Sequence, residues 1–347
     1  MKKIDKHIEI VRSSVASFNS MSGVSCHDAQ AVLAKHYAHV GITMIDNLSD
    51  LEALVDLKPD LVFLGMKFVP IAPDLGLEDP NKIWVTSYLD EHGIVYTGSS
   101  QLAHELELNK HLAKQHVHDA GLATSEFFVV PLNQAIPSHN LPLTFPLFIK
   151  PTNRGGGVGI DSKSVVHTPF EFDEKVAFIA KNLQSDSLVE KYLDGREFSV
   201  AILKQEYSTE YSIMPLELIA PKDEYGARIL SARIKAADTE RFMEVTDEDI
   251  KYRISTLAID VFHALGARDY GRIDIRMDTF GVPYFLEANL IPSLLKGYGN
   301  FPKACLLNID LDYESMLLSI VRLAFCRSPN STTYVPYLAT SNIAYAV

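Results

Sequence analysis

The sequence predicts an α/β chain that opens with a doubly wound parallel sheet, on two observations. Over residues 1–105 the short apolar runs HIEIV (7–11), GITMI (41–45), DLVFLG (60–65) and GIVYTG (93–98) alternate with amphipathic stretches. Strands that alternate with helices pair in parallel, because a parallel connection needs a crossover long enough to hold a helix. Farther on, an apolar strand ends in Lys150 beside a glycine run, and a later hairpin sets two acids face to face. That combination places an anion site, with counter-cations, beyond the first sheet.

Taken in order, Ala29, Val32, Leu33, His36 and Val40 fall at helical spacing, and 80–92 is a second helical candidate. The segment 66–80 carries three prolines and reads as a loop. A helix from Asn109 to Ala120 stops at Gly121, and strands follow at 127–131 and 146–150 across a proline-rich connection. A helix over 170–182 leads to strands at 187–193 and 196–203. Residues 204–250 are charged and read as irregular, whereas Ile254, Leu257, Ala258, Val261 and Leu265 mark a helix over 251–265. The hairpin comes next, then a helix over 312–325 and a tail without periodicity, either loose or docked on a partner. The expected division is 1–105, 106–190, 191–325 and a tail at 326–347.

The hairpin is the most informative stretch. Strands at 271–278 and 282–289 flank Phe280-Gly281, a usable tight turn. With these two as the loop, Thr279 pairs with Val282, Asp274 lies opposite Glu287, and Arg272 lies opposite Asn289. Alternation along each strand puts all four on one face. A four-residue loop keeps this register and an odd one breaks it. Opposed carboxylates repel unless a cation lies between them, and two acids plus an amide oxygen suit Mg²⁺ that takes phosphate oxygens as its other ligands. A solvated hairpin with incidental charges is the plain alternative.

The run 152–159 (TNRGGGVG) is rich in unobstructed backbone N–H groups, as a phosphate cradle needs, but lacks both the Walker A ending and a dinucleotide fingerprint. Alone it reads more readily as a flexible hinge. Lys150, two residues before it, adds a charge suited to phosphate. Glu190, Tyr192 and Glu197 surround a turn at Asp194-Gly195, where an acidic pair would accept from an adenine amine and ribose hydroxyls.

Four segments, 95–110, 145–160, 188–203 and 270–293, together resemble ATP-grasp ligases, closest to D-alanine–D-alanine ligases. The resemblance covers roughly 93–305 and implies a doubly wound α/β N-terminal domain followed by a two-lobed ATP-grasp fold, with two α+β halves gripping ATP. It matches Lys110 and Lys150 to phosphate-contacting lysines, and Gly156, Gly157 and Val158 to the lid loop. Glu190, Lys191, Tyr192 and Leu193 match the adenine segment, and Glu197 the ribose acid. Lys235 matches a lysine on a second mobile loop, 222–240. Asp274, Glu287 and Asn289 match the ligands of two Mg²⁺ ions (Mn²⁺ being the alternative), and Arg272 the residue that steadies the tetrahedral intermediate. A backbone N–H near Ser293 is a second oxyanion donor. The implied reaction joins a carboxylate and an amine through an acyl phosphate.

The chain departs from the family where substrates are read. The loop after the third strand is GMKFVPIAPDLGLEDP, Gly156 stands where serine is usual, Ala236 follows the lid lysine, and LLKGYGNF (294–301) replaces a serine-leucine pair. This points to the same chemistry on another acid or amine, with Lys296, Tyr298 and Asn300 as candidate amine contacts. D-alanine–D-alanine ligase proper is the runner-up, and a nucleotide-binding regulator without turnover is the reading from another class. The clustered His111, His116 and His118 do not stack on one helix face and read as solvated.

Composition narrows the partners. A net charge of −12 argues against nucleic acid or an anionic membrane, and 47% hydrophobic with 22% charged residues is ordinary for a soluble globular chain. Three scattered cysteines fit a reducing compartment. The N-terminus is a poor signal peptide, and no apolar run approaches the roughly 18 residues of a membrane helix, so a cytoplasmic location is expected. The resemblance also allows a homodimer through the N-terminal domain.

Overall fold

A computed structural model describes residues 2–134, 139–223 and 226–327; the predicted tail from 328 onward lies outside the described residues, as do parts of the proline-rich connection and of the 222–240 loop. The first sheet is parallel, with β1 (Ile4–Arg12) between β2 (Tyr37–Met44) and β3 (Leu61–Leu64). Crossovers are α1 (Gly23–His36) and α2 (Leu48–Asp56), the second capped by Asn47 and not evident from spacing. The helix expected to reach Val40 ends at His36, because Val40 pairs with Ile8 in the sheet and that burial overrides helical spacing. The run at 93–98 makes one parallel bridge, Val62 to Tyr96, cut short by Gly93 and Gly98 at positive φ.

The proline-containing loop is braced by β4 (Phe68–Val69) against β5 (Ile83–Trp84). That pairing takes residues 83–84, so the helix expected over 80–92 shortens to α3 (Val85–Glu91). Two helices, α4 (Gln101–Leu108) and α5 (Lys110–Asp119), lead to the second sheet. It comprises β6 (Phe127–Val130), β7 (Leu147–Pro151), β8 (Val165–Val166) and, after α6 (Pro169–Leu183), β9 (Ser187–Lys191), in the order β6-β9-β7-β8. Phe172 and Ile179 of α6 cover one face of it.

The third sheet is antiparallel. Its strands are β10 (Glu197–Lys204), β11 (Tyr211–Ile219), β12 (Arg241–Glu244), β13 (Tyr270–Met277) and β14 (Pro283–Asn289), ordered β12-β11-β10-β13-β14. Residues 204–250 are therefore not irregular: they hold β11, α7 (Ala232–Ala237) and β12. Strand alternation divides the sheet into two faces. Phe198, Val200 and Ile202 with Ile273 and Ile275 pack under α8 (Glu248–Ala264), leaving Glu197, Ser199, Arg272 and Asp274 for the opposite face.

After β14 come α9 (Asn300–Ile309) and α10 (Tyr313–Cys326). Leu317, Ile320 and Val321 of α10 share one core with Ile8, Ile10 and Leu64 of the first sheet. Each such side chain contributes about 1.5–3 kcal/mol on burial, enough to hold the last helix against the first strands. No described helix is long and apolar enough to cross a membrane.

Candidate active site

The hairpin places its four polar residues as the sequence predicts, by a different route. Asp274 pairs with Glu287 and Arg272 with Asn289. The loop is not Phe280-Gly281, however. Asp278 begins it, its side chain accepting from the N–H groups of Phe280 and Val282, and Met277 pairs with Pro283. Five loop residues alone would put Glu287 out of register with Asp274. A β-bulge between Asp274 and Ile275, with Leu286 as the extra residue on β14, restores it. The bulge also turns both Phe285 and Ala288 into the core while Glu287 stays on the open face.

Three rungs cross that face. Asn289 sits beside Arg272, Glu287 beside Asp274 and then Ser199, and Arg276 beside Glu197. Asp274 is held on every side: Arg272 donates from Nε and Nη2 (2.9 and 2.7 Å), Ser199 Oγ donates at 2.9 Å, and Asn289 Nδ2 lies 3.2 Å away. Arg272 is thus engaged in a carboxylate clamp. Burial would lower its pKa, but Asp274 outweighs that and raises it. Glu287 differs. Its closest described cation is Lys110, Nζ to Oε2 at 3.8 Å. Burial would raise Glu287, but Lys110, Lys150, Lys235 and Arg272 outweigh it and hold the carboxyl below its usual range. Two acids and an amide on one face, one acid still open to a ligand, fit a divalent cation shared with phosphate oxygens.

The cations face this sheet across a cleft lined by Lys150, Gly157, Lys235, Glu197, Asp274 and Glu287 among others. Lys110 opens α5 behind it: its backbone N–H bonds Thr152 O at the end of β7, and its ammonium donates to Arg154 O at 2.6 Å. Lys150 is buried and pairs with Glu190 at 2.8 Å. Burial alone lowers Lys150, yet Glu190 and Glu287 hold it above its ordinary value.

Glu190 is not free for an adenine amine. Its carboxylate, 3% exposed, is taken by Lys114 (2.7 Å), Lys150 (2.8 Å) and Ser125 Oγ (3.1 Å). Burial would raise its pKa, but the two lysines override that and bring it down to about 2. Lys191, Tyr192 and Leu193, the residues that follow it, all line the cleft. Lys114 escaped the sequence reading, although it lies one helical turn after Lys110 among the core-facing Ala113 and Val117.

At the far end, Glu197 pairs with Arg276 (3.0 Å), which also stacks on the Tyr192 ring at 5.4 Å. Burial, opposed by Arg276, holds Glu197 above its usual range. Gly195 is obligatory here, because a Cβ would come within 2.5 Å of the Met277 and Asp278 carbonyls. Gly157, at φ +82°, brings the glycine loop against α7: a Cβ there would meet Ala232 N at 2.9 Å.

Other expected residues are not gathered in. Gly156, Val158 and Ser293 do not line the cleft, and neither do Lys296, Tyr298 and Asn300. The Tyr298 hydroxyl instead bonds the Lys235 carbonyl at 2.6 Å and lies 3.0 Å from Glu240 Oε1, tying the segment after β14 to α7. His111 is half-buried with Nδ1 unpartnered, whereas His116 and His118 are exposed as expected, His116 bonding Ala264 O. No group of three or more His, Cys, Asp or Glu that would hold a metal occurs among the described residues. Behind the cleft, Lys67 pairs with buried Glu107 (2.8 Å), whose same oxygen accepts from Leu290 N (2.9 Å) while His104 lies 3.1 Å from the other. This network ties the loop after β3 to the end of β14.

Residues 117–322 match the family model described as D-ala D-ala ligase C-terminus. The chain is 31% identical to protein y4sG of Sinorhizobium fredii over 214 residues, 60% of this chain and 61% of that one. It is 28% identical to a D-alanine–D-alanine ligase of a Marinomonas species over 300 residues, 86% and 88% of the two chains. A crystal structure of the Bacillus anthracis D-alanine–D-alanine ligase superposes with a TM-score of 0.71 at 20% identity, covering 92% of this chain and 97% of that one.

Proposed function

This chain belongs to the D-alanine–D-alanine ligase family of ATP-grasp proteins, and from that premise we propose that it couples ATP cleavage to amide-bond formation between a carboxylic acid and an amine. One observation carries the reading: Glu287, the acid with an oxygen to spare, lines one cleft with Lys150 and Lys235, and Lys110 stands 3.8 Å from it behind that cleft. A carboxylate that attacks the γ-phosphate brings two anions together, and three ammonium groups with a metal lower that barrier. The acid oxygen bonds to phosphorus as ADP leaves. The amine then attacks the acyl carbon, and inorganic phosphate departs with that oxygen.

In this proposal Lys110 and Lys150 hold the phosphates and Lys235 approaches from α7. Gly157 with its loop neighbours Gly156 and Val158 closes over them, and 191–193 receive the purine with Glu197 at the ribose. Asp274, Glu287 and Asn289 would hold the divalent metal, taken as two Mg²⁺ with Mn²⁺ as substitute, which would supply charge neutralisation. Arg272, whose guanidinium has N–H groups beyond the two that Asp274 accepts, is the oxyanion donor, with the backbone near Ser293 as the second. Excluding water protects the acyl phosphate. The division into 1–105, 106–190 and 191–325, a cytoplasmic location and a homodimer belong to the same proposal.

The substrate is amino-acid-like, and the acid or the amine is other than D-alanine, because the substrate-reading loops differ from the family's. D-alanine–D-alanine ligation is the second reading, favoured by the names of the relatives. ADP release measured against a panel of amino acids separates them: release only with paired D-alanine establishes the second, and release with another acid–amine pair the first. No release with any pair would leave a nucleotide-binding regulator.

A further inference from the structure

The cleft's phosphate-facing lysine shares its counter-ion with a lysine that never reaches the cleft. Lys114 is fully buried and surrounded by Thr124 Oγ1 (2.7 Å), Ser125 Oγ (3.0 Å), Phe285 O (3.3 Å) and Glu190 Oε1 (2.7 Å). An ammonium has three protons, so four acceptors saturate it and none is left for a ligand. Lys150 takes the other Glu190 oxygen and lines the cleft, whereas Lys114 does not.

We propose that Lys114 is a positioning residue for phosphate binding: it neutralises Glu190 from behind, so that the Lys150 ammonium remains available to an anion instead of serving as that carboxylate's only counter-charge. Two buried lysines around one carboxylate carry a net positive charge toward the cleft; one lysine and one carboxylate carry none. The bond to Phe285 O adds a second effect. Phe285 precedes the bulged Leu286, so Lys114 also pins the strand where the bulge turns Glu287 outward. This inference rests on the nucleotide-binding part of the proposed function.

The test is calorimetric titration of the full chain with Mg·AMP-PNP, without acid or amine. Lys114→Met should weaken binding at least about tenfold while circular dichroism stays unchanged. Lys114→Met/Glu190→Gln, which removes both charges and frees Lys150 again, should recover to within about threefold of wild type. A Met variant that binds like wild type, or a double variant no better than the single, overturns the inference and leaves the ligase reading standing. Should Lys114→Met fail to fold, the double variant decides alone: binding near the wild-type value supports the inference, and binding more than about tenfold weaker overturns it. Wild type that binds no nucleotide would sink the ligase reading and this inference together.

Discussion

Two acids on opposite walls of the cleft look alike in sequence and differ in exposure and in how their oxygens are engaged. Glu190, on β9, has a side chain 3% exposed and both oxygens committed to lysines. Glu287, on β14, is 28% exposed and its nearest described cation stands 3.8 Å away. One is a buried counter-ion that organises cations, and the other keeps ligand-binding capacity. An acid in a motif can therefore act on a ligand or on the residues that act on it, and burial of its oxygens tells which.

The contrast breaks most visibly at Glu287. Glu287→Gln should cut ADP formation by at least about a hundredfold, as losing a key electrostatic group in a desolvated site does, while the thermal melt stays close to wild type. A coupled ADP assay beside a melting curve checks both halves, and near-wild-type turnover would undo the distinction. Glu190→Gln should do the reverse in stability. It strands two buried ammonium groups, and removing one partner of a buried ion pair costs about 3–5 kcal/mol, read as a lower midpoint in urea. A midpoint equal to wild type would mean the lysines are not committed to Glu190.

Glu107 sharpens the same point away from the cleft. Burial would raise its pKa, but Lys67 first and then His104 bring it down to about 2. A depressed carboxylate stabilises the fold above its unfolded pKa, and that contribution is lost as pH falls from about 4.5 through about 2. A carboxyl held that far down contributes about 3 kcal/mol at neutral pH. Urea midpoints measured between pH 5 and 2.5 should fall less steeply for Glu107→Gln than for wild type; parallel curves would contradict the assignment. The smallest effect is expected at the glycine loop. Gly157→Ala adds a Cβ against Ala232 N at a positive φ, so the KM for ATP should rise about tenfold with about 1 kcal/mol lost in stability.

Much of this face was legible in the sequence and some was not, for identifiable reasons. The pairing of 274 with 287 came from alternation and an assumed turn, yet the turn is wrong. A five-residue loop and a one-residue bulge cancel, and neither leaves a mark in hydrophobic periodicity. Lys114 was readable, being a charge at helical spacing on a core-facing side. β11 hid because Pro215 sits inside it, and proline argues against a central strand. The structure accommodates it because β12 pairs only from Leu216 onward. Glu190 was found but its lysine partners were not, since sequence gives a charge and not what surrounds it. The departures at 65–80 and 294–301 point to a remodelled substrate side without telling what it accepts.

Isotope transfer tests the central claim most directly. Amino acids labelled with ¹⁸O in the carboxylate are incubated with the protein, Mg²⁺ and ATP, and the released phosphate is examined by mass spectrometry. An acyl-phosphate ligase delivers one ¹⁸O to each phosphate formed, in step with ADP; phosphate released in step with ADP but without label would contradict the account.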